Sequence, residues 1–267
     1  MECRMKNYVA KHLRYLILPR KRAFLRAAFL CVAVLVSAET NTNIRQKILE
    51  KLPLCRDSKT GAVGADGNYT RGLRKGFNCA GFAKWIVDGF YGPLSNSDER
   101  KYISLVHVRK KHIEKRGCSY TLIYEQSRDP YFGLDWTRNL AVELGRKRGE
   151  IVSSNSCDVV DSKVCEYIKD CGYPLSTIED VLREQTARYP NEIYLASING
   201  FFGENPKLWQ HYHIAVFIPY YEAGELKIAV LERNKETSFE YLQRRYPNTF
   251  CHLVAIENNG KFELMTP

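Results

Sequence analysis

Residues 78–85 read Asn78-Cys-Ala-Gly-Phe-Ala-Lys-Trp85, and they place a cysteine at the start of a helical pattern. The apolar residues that follow recur on one helix face as far as Gly89. The first turn of a helix has backbone N–H groups without intrahelical acceptors, and the helix dipole adds partial positive charge there. Both effects lower the pKa of a thiol. These effects make Cys79 a candidate nucleophile; the alternative is a structural or disulfide-bonded cysteine.

The C-terminal third has the composition of an antiparallel sheet. Runs rich in Ile, Val, Phe and Tyr predict strands at 192–198, 213–220, 226–232, 251–257 and 261–265. The turn sequences at 222–225 and 258–260 predict hairpins. Because helical patterns precede the strands, we expect an α+β fold in which N-terminal helices that carry the cysteine pack on a C-terminal sheet.

Further helices are indicated by apolar spacing and by capping sequences. One helix is predicted from Asn43 to the stop at Pro53, and another after residues 135–137. A Ser or Thr followed three residues later by Glu forms a capping box, which predicts helix starts at Ser176 and Thr237.

His213 begins one of the predicted strands, so its ring is expected at a strand end. A hairpin folded around Ala223 and Gly224 would place Asn234 opposite His213 and Glu232 diagonal to it, on the same face. A polar group there would fix the imidazole tautomer that takes a proton from a thiol. Glu232 is the predicted orienting residue, and Asn234 stays open as a substitute.

Residues 1–38 have the pattern of a secretory signal peptide. Eight Lys and Arg residues stand against Glu2, and ten apolar residues at 27–36 precede the small-residue site Val36-Ser-Ala38. Ten apolar residues are fewer than the roughly 20 that span a bilayer. We expect a secreted or periplasmic protein without a stable membrane span after signal removal; an uncleaved amphipathic anchor is the alternative.

The predicted signal peptide carries most of the positive charge of the chain. Of the formal net charge of +10, residues 1–38 supply +7, which leaves +3 for the rest. A high isoelectric point is therefore no argument for nucleic acid, and no nucleic-acid partner is expected.

Nine cysteines are present, and Cys3 and Cys31 belong to the predicted signal peptide. Seven cysteines remain: Cys55, Cys79, Cys118, Cys157, Cys165, Cys171 and Cys251. In an oxidising compartment an odd number predicts one free thiol, here with three disulfides. The segment at about 93–190 holds four of the seven and is predicted to be a disulfide-stapled insertion. Without a C-x-x-C pair, no structural zinc site is expected.

The segments around Cys79 and His213 resemble the NlpC family of papain-like cysteine peptidases, which act on bacterial cell walls. The family signature, Asp/Asn-Cys-Ser/Ala-Gly-Phe at the start of a helix, is matched at 78–82, and His213 matches the histidine at the start of an Ile/Val strand. Tyr69-Thr-Arg-Gly72 matches a Tyr-x-x-Gly element whose hydroxyl lies near the oxyanion site. The third catalytic position of the family falls on Glu232 by order along the chain, where members usually carry His, Asn or Gln.

The resemblance covers residues from about 66 to 92 and from 192 to 235, and it omits the predicted insertion. It implies a single papain-like hydrolase domain at 39–267. Its catalytic residues would be Cys79, His213, Glu232 and Tyr69.

The implied activity is thiol-dependent hydrolysis of an amide, with peptidoglycan stem peptide as the implied substrate. The enzyme is expected to be a monomer and to need no cofactor or metal. Two alternatives stay open: a papain-like amidase or acyltransferase that acts on another substrate, and an inactive secreted binding module with Cys79 in a disulfide.

Overall fold

The computed structural model describes residues 41–55, 57, 77–108, 130–202 and 208–267. This part of the chain is α+β, as the sequence pattern predicts, with helices packed on one antiparallel sheet. The predicted signal peptide, Tyr69 and Cys118 lie outside the described residues. No described helix is long and apolar enough to cross a membrane.

The described part of the chain contains six α-helices, three short 3-10 helices and six strands. The helices are α1 (41–51), α2 (Cys79–Tyr91), α3 (Leu105–Val108), α4 (Phe132–Lys147), α5 (Ile178–Arg188) and α6 (Phe239–Arg245). The strands are β1 (Tyr173–Pro174), β2 (Glu192–Phe202), β3 (Leu208–Glu222), β4 (Glu225–Glu232), β5 (Lys235–Thr237) and β6 (Phe250–Glu257). Their order across the sheet is β1-β6-β2-β3-β4-β5, and every neighbouring pair is antiparallel.

Both faces of the sheet are covered, because alternate residues of its strands belong to two different cores. Leu195 and Val216 face the first core, which contains the apolar residues of α1, α2 and α4. Their neighbours Ala196 and Phe217 face the second core, with the apolar residues of α5 and α6. The period-two alternation of a strand therefore gives three layers, with the sheet in the middle.

The strand predicted at 261–265 is wrong. This segment is an extended strap without ladder pairing, and Phe262 and Leu264 are buried in the first core. Lys47 and Lys51 of α1 donate to the carbonyls of Phe262 and Leu264 at 3.2 and 2.9 Å. The Trp85 indole donates to the carbonyl of Met265 at 2.9 Å. Helices therefore take up the polar groups that a neighbouring strand would otherwise pair.

The hairpin predicted at 258–260 is wrong for the same reason, since no strand follows it. Asn258 instead accepts from the Gly260 N–H at 2.9 Å, a local side-chain turn that redirects the chain into the strap. The hairpin predicted at 222–225 is confirmed, with Ala223 and Gly224 at φ of 51° and 84°.

Both capping-box predictions identify a helix but name the wrong first residue. A short 3-10 helix at Leu175–Thr177 precedes α5, so that α5 starts at Ile178 without a side-chain cap. Thr237 belongs to β5, and Ser238 caps α6 by accepting from the Tyr241 N–H at 3.2 Å. The local sequence fixes a helix start only to within a turn, because tertiary pairing chooses among adjacent candidates.

The predicted insertion contributes to both helical layers and to one edge of the sheet. It supplies α4 to the first core, α5 to the second, and β1 beside β6. A buried polar network ties it down: the Arg138 guanidinium bonds Asp158 at 2.6 Å and Asp170 at 2.9 Å. His252 of β6 adjoins the same carboxylate of Asp158 at 3.4 Å. These charges can be buried because each has a partner.

Six cysteines lie in the described residues, and all six are free thiols: Cys55, Cys79, Cys157, Cys165, Cys171 and Cys251. With Cys79 free, two of the three predicted disulfides would have to join described cysteines to each other, and none of these thiols is bridged. Any third bridge would involve Cys118, which lies outside the described residues. The thiols of Cys55 and Cys165 instead contact a backbone carbonyl at 3.6 Å and a Thr177 hydroxyl at 3.2 Å. Core packing and ion pairs hold the segment that disulfides were expected to staple.

The strap gives a test of the fold. Replacing Phe262 by Ala removes a buried ring that packs on Phe90 at 4.7 Å between centroids. We expect the free energy of unfolding, measured by urea denaturation, to fall by about 3–5 kcal/mol. Met265→Ala, at an exposed side chain of the same strap, serves as the control and should change it by less than about 0.5 kcal/mol. Equal losses in the two variants would contradict the buried strap.

Candidate active site

Cys79 is the first residue of α2, so the helix position predicted for it is confirmed. The Asn78 side chain caps the helix by accepting from the Gly81 N–H at 2.8 Å. The first two N–H groups, at Cys79 and Ala80, have no acceptor within the helix by their position. The indole of Trp136 donates to the Ala80 carbonyl at 2.9 Å, which fixes this turn of α2 against α4. Cys79 as a residue is half-buried, and the two bonds hold the turn of α2 that begins with it.

His213 lies on β3, within the strand and not at its end. The strand extends back to Leu208 because residues 199–202 of β2 pair with it, past a bulge between Ile198 and Asn199. By alternation His213 shares a face with Ala215 and Phe217, the face that α6 covers. Only 2% of the side chain is exposed, so its ring nitrogens need partners inside the protein.

Glu232 supplies one of those partners. Its Oε2 lies 2.5 Å from His213 Nε2, and only 1% of the Glu232 side chain is exposed. Its Oε1 accepts from the Thr237 hydroxyl at 3.1 Å. With Nε2–H donated to Glu232, Nδ1 of His213 is left to accept a proton from Cys79.

The predicted pairing of β3 with β4 is confirmed from Glu222–Glu225 to Val216–Leu231, and it explains how Glu232 reaches His213. Beyond it the chain turns, with Arg233 at φ 49°, and Glu232 pairs with Lys235 of β5. Asn234 therefore falls in the turn between β4 and β5. Of the two candidates left open by the sequence, Glu232 is the one that bonds His213.

The three side chains stabilise each other's charged forms. Burial raises the pKa of the Cys79 thiol, but the hydrogen bond and charge of His213 and the Ile214 N–H bring the pKa below its ordinary 9.0. Burial lowers the pKa of His213, but Cys79 and Glu232 together bring it above its ordinary 6.5. Burial raises the pKa of Glu232, but His213 brings it below 4.5. The site therefore favours a thiolate, an imidazolium and a carboxylate in a row.

Other described cysteines shift in the opposite direction. Burial raises the pKa of Cys55 and Cys171 to about 11. Burial also raises the pKa of Cys157 and Cys251. A protonated thiol is a poor nucleophile, so the raised pKa makes these four thiols less reactive at neutral pH. Cys79 differs from them by its helix terminus and its imidazole.

Three residues of the site escaped the sequence reasoning. Thr237 orients Glu232. The short strand that contains Thr237 could have indicated this role, but the sequence pattern predicted a helix start at the same residue. Tyr246 covers His213, with ring centroids 5.0 Å apart, and only the return of the chain after α6 brings it there. Arg233 adds positive charge near Cys79 and pairs with Asp57 at 3.0 Å. A tyrosine and an arginine of this kind carry no local pattern.

Tyr69 lies outside the described residues, and its proposed role stays a prediction. Asp57 and Phe77, on either side of the segment that contains it, form a parallel bridge. Both ends of that segment are thus close together, beside the start of α2.

The part of the chain that the structure describes has no cluster of metal-binding side chains. No group of three or more His, Cys, Asp or Glu side chains there is arranged to hold an ion. His211 and His213, which form a possible pair by spacing, have separate roles: His211 Nδ1 bonds the Ser197 hydroxyl at 2.9 Å.

Known proteins give no parallel for the geometry of this site. No family, curated protein or solved structure matches this chain. The resemblance to the NlpC family rests on the motif residues themselves.

The charge of Glu232 can be tested by a substitution that keeps its shape. In Glu232→Gln we expect the pKa of His213 to fall and that of Cys79 to rise, because the carboxylate no longer stabilises the imidazolium. Iodoacetamide should then label Cys79 about tenfold more slowly at pH 6 than in the unmodified protein. Glu236→Gln, on the same hairpin but bonded to Arg45, is the control and should leave the rate unchanged. Equal rates in both variants would rule out Glu232 as the orienting residue.

Proposed function

We propose that the protein is an exported cysteine hydrolase of the papain-like class that cuts amide bonds. The observation that carries the proposal is the row Cys79–His213–Glu232: a thiol of lowered pKa beside a buried imidazole that a buried carboxylate orients. A nucleophile, its base and a group that orients the base are the parts that covalent amide hydrolysis requires. The arrangement of a cysteine helix against an antiparallel sheet supports the papain-like class.

Acylation begins when the Cys79 thiolate attacks the amide carbonyl and a new C–S bond forms. The carbonyl oxygen becomes an oxyanion. The His213 imidazolium then gives its Nδ1 proton to the leaving amine as the C–N bond breaks. Glu232 keeps the ring in the orientation that makes this transfer possible, and Thr237 keeps the carboxylate in place.

Stabilisation of the oxyanion falls to the start of α2. The Cys79 N–H is free of helical acceptors and lies beside the sulfur, so it can donate to the developing charge. The positive end of the helix dipole acts in the same direction. Tyr69 is proposed as the second donor, by the resemblance to the family.

Deacylation reverses the roles. His213, now neutral, accepts a proton from a water molecule that attacks the thioester, and the acid is released as the C–S bond breaks. The imidazolium and thiolate are then restored, and no metal or cofactor is required for the cycle.

The proposed substrate is a peptidoglycan stem peptide, which is supported by the resemblance to the NlpC family and by the predicted export. The enzyme would act as a monomer, outside the cytoplasm. Amidase or acyltransferase action on another substrate uses the same chemistry at Cys79 and differs in the bond presented to it.

Mass mapping of iodoacetamide adducts on the folded protein tests whether Cys79 is the nucleophile. We expect Cys79 to be labelled first at pH 6, ahead of the thiols whose pKa is raised.

Cys79→Ser should lower the release of peptide from purified peptidoglycan by about a thousandfold or more. Cys165→Ser, at a partly exposed thiol bonded to Thr177, is the matched control and should retain the activity. Full activity of Cys79→Ser would defeat the proposal.

The rate should depend on pH as a bell. On the acid side the rate rises as Cys79 loses its proton. The pKa of Cys79 lies below the ordinary thiol value of 9.0, because the charge and hydrogen bond of His213 lower it by more than burial raises it. On the basic side the rate falls as His213 loses its proton, above the ordinary 6.5, since the leaving amine then lacks its acid. Measurement of kcat/KM across pH 4–10 checks both limbs, which belong to the coupled pair. A rate that rises steadily to pH 10 would mean that an ordinary thiol reacts.

A further inference from the structure

A cavity of about 500 Å³ opens next to the candidate active site. It lies between the 3-10 helix Leu175–Thr177, the end of α6 and the start of β6. Tyr246 belongs to its wall and also covers the His213 ring at 5.0 Å between centroids. A group bound in the cavity would therefore sit one aromatic ring away from the base that serves Cys79.

The described wall of the cavity carries no charge. Its polar side chains are neutral hydrogen-bonding groups: Ser176, Gln243, Asn248 and Thr249. Phe250 and Tyr246 add flat aromatic surfaces. An ionised group would lose its water there without gaining a counter-charge from the described wall, which disfavours charged occupants.

Neutrality is not general to the clefts of this protein. A second cavity of about 500 Å³ lies at the opposite end of the sheet, beside the start of β2. Its wall includes Arg148, Glu150 and Glu192. The two cavities therefore differ in the charge of their walls.

Aromatic rings continue from the cavity wall out to the surface. Phe250 packs on Trp209 at 5.7 Å, and Trp209 packs on Phe201 at 5.2 Å between ring centroids. The second row runs from Tyr246 to Tyr212 at 5.6 Å and on to Phe202 at 4.6 Å.

Both rows end at the tip of the β2–β3 hairpin, where Phe201 is 67% and Phe202 is 44% exposed. Exposed rings grouped in this way form a surface that favours binding over solvation.

We infer that this cavity and its aromatic rows form a subsite for an uncharged pyranose sugar of the substrate, an inference that rests on the proposed function. A sugar ring presents C–H groups on its faces and hydroxyl or acetamido groups at its edge. Flat aromatic side chains suit the faces, and neutral side chains such as Asn248 and Gln243 suit the edge. A purely apolar side chain would leave those polar groups desolvated and unpaired.

The subsite defines the substrate more closely than the catalytic row does. In peptidoglycan the stem peptide is joined to a sugar of the glycan strand. A sugar held beside Tyr246 would keep the first part of that peptide near Cys79. The enzyme should therefore prefer peptides that still carry their sugar over the same peptides alone.

Binding can be measured without turnover in the Cys79→Ala variant, by calorimetric titration with the uncharged disaccharide N,N′-diacetylchitobiose. Phe250→Leu keeps apolar volume but removes the flat ring. Asn248→Gly removes a polar side chain at φ 56°, a conformation that glycine adopts freely. Each should weaken binding by about tenfold, the contribution of one hydrogen bond or one aromatic contact. Tyr189→Leu, at an exposed ring in the wall of the other cavity, is the control and should change affinity less than twofold.

Absence of chitobiose binding, or equal losses in Phe250→Leu and Tyr189→Leu, would overturn the subsite. The same titrations with a sugar-free stem tetrapeptide give the remaining distinction: if only peptide binding is weakened by the cavity variants, the occupant is a peptide side chain. These titrations do not depend on catalysis. If the sugar binds but iodoacetamide labelling shows that Cys79 is unreactive in the unmodified protein, the subsite is retained and the hydrolase is refuted.

Discussion

The hydrogen bond between His213 and Glu232 is the interaction on which the candidate site depends. Both side chains are almost fully buried, and an ionised group in such a place is tolerated only when it is paired and hydrogen-bonded. Glu232 satisfies this condition through His213 on one oxygen and Thr237 on the other. The imidazole is in turn held with its second nitrogen free to act on Cys79. Loss of any of these partners would leave a buried charge or an unsatisfied donor.

The three-layer fold supplies the rigidity that this row of side chains requires. Strand β3 is buried on both faces, so His213 cannot shift without disturbing two cores. On one side α2 is fixed by the Trp136 bond and by the C-terminal strap. On the other side α6 returns the chain so that Tyr246 covers the imidazole. Cys79 therefore comes from one helical layer and His213 from the central sheet, on the face that the other helical layer covers.

Periodic features of the sequence were enough to predict most elements of this architecture. The helix at Cys79, the hairpin at Ala223 and Gly224, and the contact of Glu232 with His213 follow from local spacing and pairing register. The strand expected at 261–265 could not be separated from a buried strap, because both present alternate apolar residues.

The disulfides are predicted from the number of cysteines and from the predicted export. In the structure the described cysteines are free thiols, and ion pairs such as Arg138–Asp158 tie that segment down. Tyr246 and the cavity depend on contacts distant along the chain, which no single-sequence pattern encodes.

A titration of the His213 ring nitrogens by ¹⁵N NMR, in the unmodified protein and in Cys79→Ala, tests the thiolate–imidazolium pair most directly. Since the Cys79 charge raises the pKa of His213, the imidazole should lose its proton at a higher pH in the unmodified protein than in the variant. Identical titration curves would show that the two side chains do not share a charge, and would contradict Cys79 as a nucleophile activated by His213.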